Sequence, residues 1–94
     1  MSPLHDRYNR IRAALPPTTL LLVRLGDFYE AYDDCAKTIA DCLTLVITKR
    51  NEAPMCGIPY HARKTYFDQL VSQGKSIAIY EEYPEPKNRD IFSR

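Results

Sequence analysis

Ninety-four residues suffice for one domain with a single apolar core and leave no room for a second. A hydrophobic fraction of 45% with 27% charged residues excludes a disordered or fibrous chain, and no stretch approaches the length needed to cross a bilayer. The formal net charge of +1 excludes a globally basic nucleic-acid binder, though not a local basic patch.

The start, Met1-Ser2-Pro3-Leu4-His5-Asp6-Arg7, has no basic stretch leading into an apolar one, so no secretory signal is read and a cytoplasmic location is expected. Ser2 reads as the N-cap of a first helix, with Pro3 in its first turn where the missing N–H costs nothing. Leu4, Tyr8, Ile11 and Leu15 recur at helical spacing, and Pro16-Pro17 ends the pattern. Arg7, Arg10 and Arg12 cover the other surface, as a solvated face rather than a phosphate-binding stripe. The apolar run Leu20 to Leu25 then predicts a strand buried on both faces near the middle of a sheet. Gly26-Asp27 breaks it. In the extended stretch that follows, Phe28 and Glu30 share one side and Tyr29 opposes them.

Asp33 or Asp34 is the expected N-cap of a second helix, whose apolar stripe is Ala36, Ile39, Ala40 and Leu43. Thr44 to Thr48 has high β propensity and predicts a strand, leading into Lys49-Arg50-Asn51-Glu52 as a charged turn. Ala53 to Pro59 carries two prolines and a glycine, which predict an extended segment rather than a regular internal strand. Ala62, Tyr66 and Leu70, with Phe67 and Val71 beside them, mark a third helix closed by Gln73-Gly74. Ser76 to Tyr80 is the last strand, and the acidic, proline-containing end reads as a tail or linker over 84–94, leaving one domain over 1–83. The expected fold is α/β, a small mixed sheet packed with about three helices.

Three cysteines cannot all pair within the chain, and Cys35 and Cys42 lie too far apart along one helix to bond, so all three are read as reduced. Cys56 and His61 lack further ligands at metal-binding spacing, so no metal or other cofactor is expected.

Several stretches in register carry a family resemblance: Arg24 to Glu30, Asp33 to Ala36, Thr48-Lys49-Arg50, Pro54 to Ala62, and Leu70 to Gly74. Together they resemble the N-terminal mismatch-recognition domain of the MutS family, over about Leu4 to Glu82. The resemblance implies that Phe28 wedges into the minor groove at a mispaired or unpaired base and that Glu30 hydrogen-bonds the same base. It makes Lys49 and Arg50 candidate phosphate contacts and places Leu25, Pro54 and Met55 near the DNA. The implied partners are double-stranded DNA with mispaired or unpaired bases and other repair proteins.

The chain departs from the family pattern in several places. The turn between Arg50 and Pro54 is short, with Asn51 where the family has glycine. Leu25 stands where many members have methionine, and Glu81-Glu82 replaces a glutamate-glutamine pair. The basic final strands are missing, as is any G-x-x-x-x-G-K-[ST] loop for ATP. The unfamiliar end favours a free-standing relative over an excised domain.

Three functions compete. The first is a non-enzymatic module that binds mismatched or distorted DNA without an ATPase of its own. The second is a protein-interaction or regulatory module that keeps the scaffold and does not bind DNA. The third, a nuclease using Asp27, Glu30, Asp33 and Asp34 to hold a metal, is disfavoured because Asp33 and Asp34 already suit a helix N-terminus.

Overall fold

The computed structural model describes residues 3–81. The expected N-cap at Ser2 and the expected tail over 84–94 lie outside the described residues. Helix α1 runs from Pro3–Ala13, and the prolines that follow force it to close through Ala14 and Leu15, whose N–H groups donate to the Ile11 and Arg12 carbonyls. Strand β1, Thr19–Leu25, is followed after two residues by strand β2, Phe28–Tyr32, which runs back antiparallel to it. This hairpin is the first departure from expectation: the extended stretch beyond Gly26-Asp27 is a separate strand. Gly26, at φ 60°, supplies the left-handed first residue that such a two-residue turn demands.

Helix α2, Asp33–Leu43, buries the whole stripe Ala36, Ile39, Ala40 and Leu43. Neither aspartate caps it. Tyr32 holds the N-cap position without a capping side-chain bond, and Asp33 lies at φ 55° with its carboxylate drawn to His5 Nε2 at 2.6 Å. Both acids still sit in the first turn, where the helix dipole favours them. At the other end Thr44 turns left-handed, and the N–H groups of Thr44 and Leu45 both donate to the Ala40 carbonyl. Those backbone groups are therefore spent on closing the helix, and the expected strand over 44–48 shrinks to β3, Thr48–Arg50. Val46 is left 85% exposed.

The charged turn is also smaller than expected. Lys49 and Arg50 belong to β3, and the turn is Asn51-Glu52, both at positive φ, as a tight two-residue hairpin requires. Strand β4, Ala53–Pro59, is a regular internal strand between β3 and β2, against expectation. The prolines fit because of register. Arg50 and Ala53 close the two-residue hairpin as a hydrogen-bonded pair, so Lys49 and Pro54 form a non-bonded one and no Pro54 N–H is needed toward β3. Pairing to β2 begins only at Met55, and Pro59 is the last residue of the strand.

A 3-10 turn, Tyr60–Ala62, leads into helix α3, Arg63–Ser72, which Gln73 and Gly74 close as expected. Leu70 is fully buried, but Val71 points outward at 58% exposure, so the apolar side of α3 is narrower than its sequence suggested. Strand β5, Ser76–Tyr80, lies parallel to β1. The sheet order is β3-β4-β2-β1-β5, so β2 is the middle strand and β1 its neighbour. The α/β fold with a small mixed sheet and three helices is as the sequence predicted.

Register assigns the faces. Phe28, Glu30 and Tyr32 share one face with Leu25, Val23, Gly57 and Met55, while Tyr29 and Ala31 share the other with Arg24, Cys56 and Ile58. Phe67 of α3 packs edge-on against Tyr29 on the second face. Tyr8 of α1 meets Tyr32 edge-on at 5.0 Å and donates from its hydroxyl to the Leu21 carbonyl at 2.7 Å. The Tyr32 end of the first face is thus covered and the Phe28 end is not. Among the described residues no helix is long and apolar enough to cross a membrane.

Candidate functional site

Phe28 opens β2 directly after the turn, opposite Leu25 on one side and Pro59 on the other. It is 46% exposed although every other residue of its strand is buried. The peptide just before it is also tied down, because the Tyr60 N–H donates to the Asp27 carbonyl at 2.7 Å. A Cβ added at Gly57 would stand 3.6 Å from Phe28 Cδ1, so the ring lies over the glycine. The result is an apolar ring in water on a rigid strand end.

Glu30 is on the same face, as predicted, but it is turned inward at 5% exposure. The Tyr32 hydroxyl donates to Oε1 at 2.6 Å, and Arg50 Nη2 donates to Oε2 at 2.9 Å. A buried carboxylate needs such partners, and each oxygen has one. Burial pushes the Tyr32 phenol pKa up, and its hydrogen bond to Glu30 adds to the shift. The guanidinium of Arg50 reaches the site from the edge strand, with its side chain 45% exposed.

The remaining predicted residues divide. Leu25 is half-buried beside Phe28, and Met55 is half-buried between Tyr32 and Thr48 on the same face. Alternation along β3 puts Lys49 on the opposite face, paired with Pro54, so it does not join Arg50. Of the carboxylates considered for a metal, Asp33 is paired with His5 and Glu30 with Arg50. Among the described residues no three acidic, histidine or cysteine side chains converge to hold a metal ion.

Two features escaped the sequence. Tyr32 is the inner partner of Glu30, and the period of two that links Phe28 to Glu30 extends to it. On the far face Tyr60 lies against the guanidinium groups of Arg24 and Arg63, at 3.6 and 3.7 Å from its ring centre. There the Tyr29 hydroxyl donates to Glu81 at 2.5 Å, and Arg24 faces the same carboxylate at 3.5 Å. These residues come from four separate elements and, with Glu81, from the residue just beyond a fifth, and no local pattern joins them.

Comparison with known proteins gives a consistent picture. The family model described as MutS domain I matches residues 2–94. Proteins named DNA mismatch repair protein MutS are similar to this chain: that of Thermotoga neapolitana is 45% identical over 95 residues, covering 100% of this chain and 12% of the relative. That of Treponema denticola is 47% identical over 85 residues, covering 90% and 9% respectively. That of Fervidobacterium nodosum is 52% identical over 86 residues, covering 92% and 10%. The chain thus spans about a tenth of the length of the curated relatives it matches. With nearly every residue inside the family model and a small mixed sheet beneath it, as expected, the chain belongs to the MutS domain I family.

Proposed function

We propose that this domain binds double-stranded DNA at mispaired, unpaired or otherwise distorted positions, as part of mismatch repair, and that it does so without enzymatic chemistry of its own. The carrying observation is Phe28: an aromatic ring left 46% exposed at the end of an otherwise buried central strand. Inserting such a ring unstacks a base step at a cost of a few kcal/mol, least where pairing is already lost, so the deformability of the duplex selects the defect. Stacking returns about 1–3 kcal/mol and tolerates any base. Glu30 supplies a hydrogen-bonding group two residues along the same face, and Leu25 and Met55 line the apolar surround. Arg50 is the phosphate contact on this face, with Lys49 contributing from the reverse side of the same short strand. The sequence holds no Walker-type loop, so ATP use belongs to other segments or proteins, and other repair proteins are the expected partners.

Fluorescence anisotropy of the 94-residue chain on a matched duplex and on the same duplex with an unpaired T tests the proposal. Phe28→Ala is expected to reduce the preference for the defect by about five- to thirtyfold, the lower half of the stacking range. Equal preference before and after the substitution refutes the wedge.

A further inference from the structure

The carboxylate assigned to the base is not free to meet one. Both Glu30 oxygens are occupied, Oε1 by Tyr32 and Oε2 by Arg50, and the side chain is only 7% exposed. The two partners differ. Tyr32 lies in the core with its ring fixed against Tyr8 and His5, whereas Arg50 stands on a three-residue edge strand with its side chain 45% exposed. Tyr32 is the fixed partner and Arg50 the exchangeable one.

We propose that Glu30 reads the base by partner exchange: Arg50 transfers its guanidinium from Glu30 Oε2 to a DNA phosphate when an unpaired base N–H takes its place, while Tyr32 keeps hold of Oε1. This rests on the wedge reading above and names the positioning residues for it. The exchange leaves no hydrogen-bonding position empty, because Oε2 gives up one donor for another and the guanidinium gives up a carboxylate for a phosphate; the loss of the ion pair at Glu30 is offset by the new ion pair at the phosphate. It also accounts for selectivity. An A·T pair offers only acceptors in the minor groove, and the thymine N3–H is used in pairing. An unpaired thymine presents that N–H, so Oε2 can leave Arg50 at the defect and stays with it at a matched A·T step. Arg50 therefore gains its phosphate only on defective DNA.

Binding is measured by anisotropy as a function of salt, on an A·T-rich matched duplex and on the same duplex with an unpaired T, for the unaltered chain, Phe28→Ala, Arg50→Gln and Tyr32→Phe. Each phosphate contact contributes about 0.9 to the slope of log affinity against log salt on B-DNA. Arg50→Gln is expected to lower that slope by about this amount on the unpaired-T duplex and to leave it unchanged on the matched duplex. Tyr32→Phe, which removes one oxygen and keeps the packed ring, is expected to cut the preference for the defect about fivefold, the worth of one hydrogen bond, without changing either slope. An Arg50→Gln slope change that is equal on both duplexes, or absent from both, overturns the exchange, as does an unaltered preference in Tyr32→Phe. If Phe28→Ala loses the preference while these variants keep it, the wedge stands and the exchange alone falls. If the unaltered chain shows no preference, the proposed function fails and the exchange with it.

Discussion

Removing Arg50 tests the internal electrostatics of the site without DNA. In Arg50→Ala the Glu30 carboxylate keeps the Tyr32 hydroxyl and loses its only ion-pair partner among the described residues, 2.9 Å away. Deleting one member of a fully buried pair costs about 3–5 kcal/mol, whereas an exposed pair is worth about 0–1 kcal/mol. This pair is intermediate, with side chains 45% and 7% exposed, because water can follow the departing guanidinium from one side only. A loss of about 2 kcal/mol is expected, which for a domain of this size lowers the melting temperature by roughly 8–16 °C. Urea denaturation of Arg50→Ala, Glu30→Gln and the double variant supplies the assay. Glu30→Gln destabilises the unaltered chain by breaking the pair. In the Arg50→Ala background it is neutral or stabilising, because a neutral amide is cheaper to bury than an unpaired carboxylate. A cost below about 0.5 kcal/mol for Arg50→Ala, or the same cost of Glu30→Gln in both backgrounds, refutes the coupling.

Burial raises the phenol pKa of Tyr8, Tyr29 and Tyr32, that of Tyr29 to about 12, aided by its hydrogen bond to Glu81. Groups raised in the folded state contribute stability that is complete below the unfolded value of about 10 and is lost as pH climbs from there. An absorbance titration should therefore show late-ionising phenols coupled to loss of structure, and a single unperturbed phenol transition with the fold intact would contradict this. Gly57→Ala is expected to change stability by less than about 0.5 kcal/mol or to stabilise by up to about 1 kcal/mol, since its new Cβ meets Phe28 at 3.6 Å, an ordinary contact. Gly26→Ala, at φ 60°, should cost about 1–2 kcal/mol, and urea melts that rank the two in the opposite order would overturn the assignment. A thiol reagent should label half-buried Cys42 first in the folded chain. Cys35 and Cys56 are buried, and burial pushes the Cys56 thiol up to about 11, so equal labelling rates for all three would be incompatible with this core.

Elements whose backbone demands are met within a few residues were legible in the sequence. Helix α2 follows from spacing alone, and the end of α1 follows from Pro16-Pro17. The shared face of Phe28 and Glu30 needed only the period of two along an extended chain. Elements that depend on a distant partner were not. Whether Thr44 to Thr48 forms a strand depended on whether a neighbour was free to pair, and helix closure claimed its backbone first. Whether Ala53 to Pro59 forms one depended on register, which placed Pro54 where β3 asks for no N–H.

The same division runs through the site. By itself the sequence determined which residue types stand on one face of β2, because alternation is a property of the strand. Only the tertiary structure decided that Phe28 stays in water while Glu30 turns inward, because burial depends on what covers each end of that face. Tyr8 of helix α1, 24 residues before Tyr32, covers the Tyr32 end, and Arg50 arrives from an edge strand 20 residues after Glu30. A carboxylate so enclosed must find partners: the hydroxyl stands two residues along the same face, but no reading of its immediate neighbours could tell that a guanidinium would reach it from another strand.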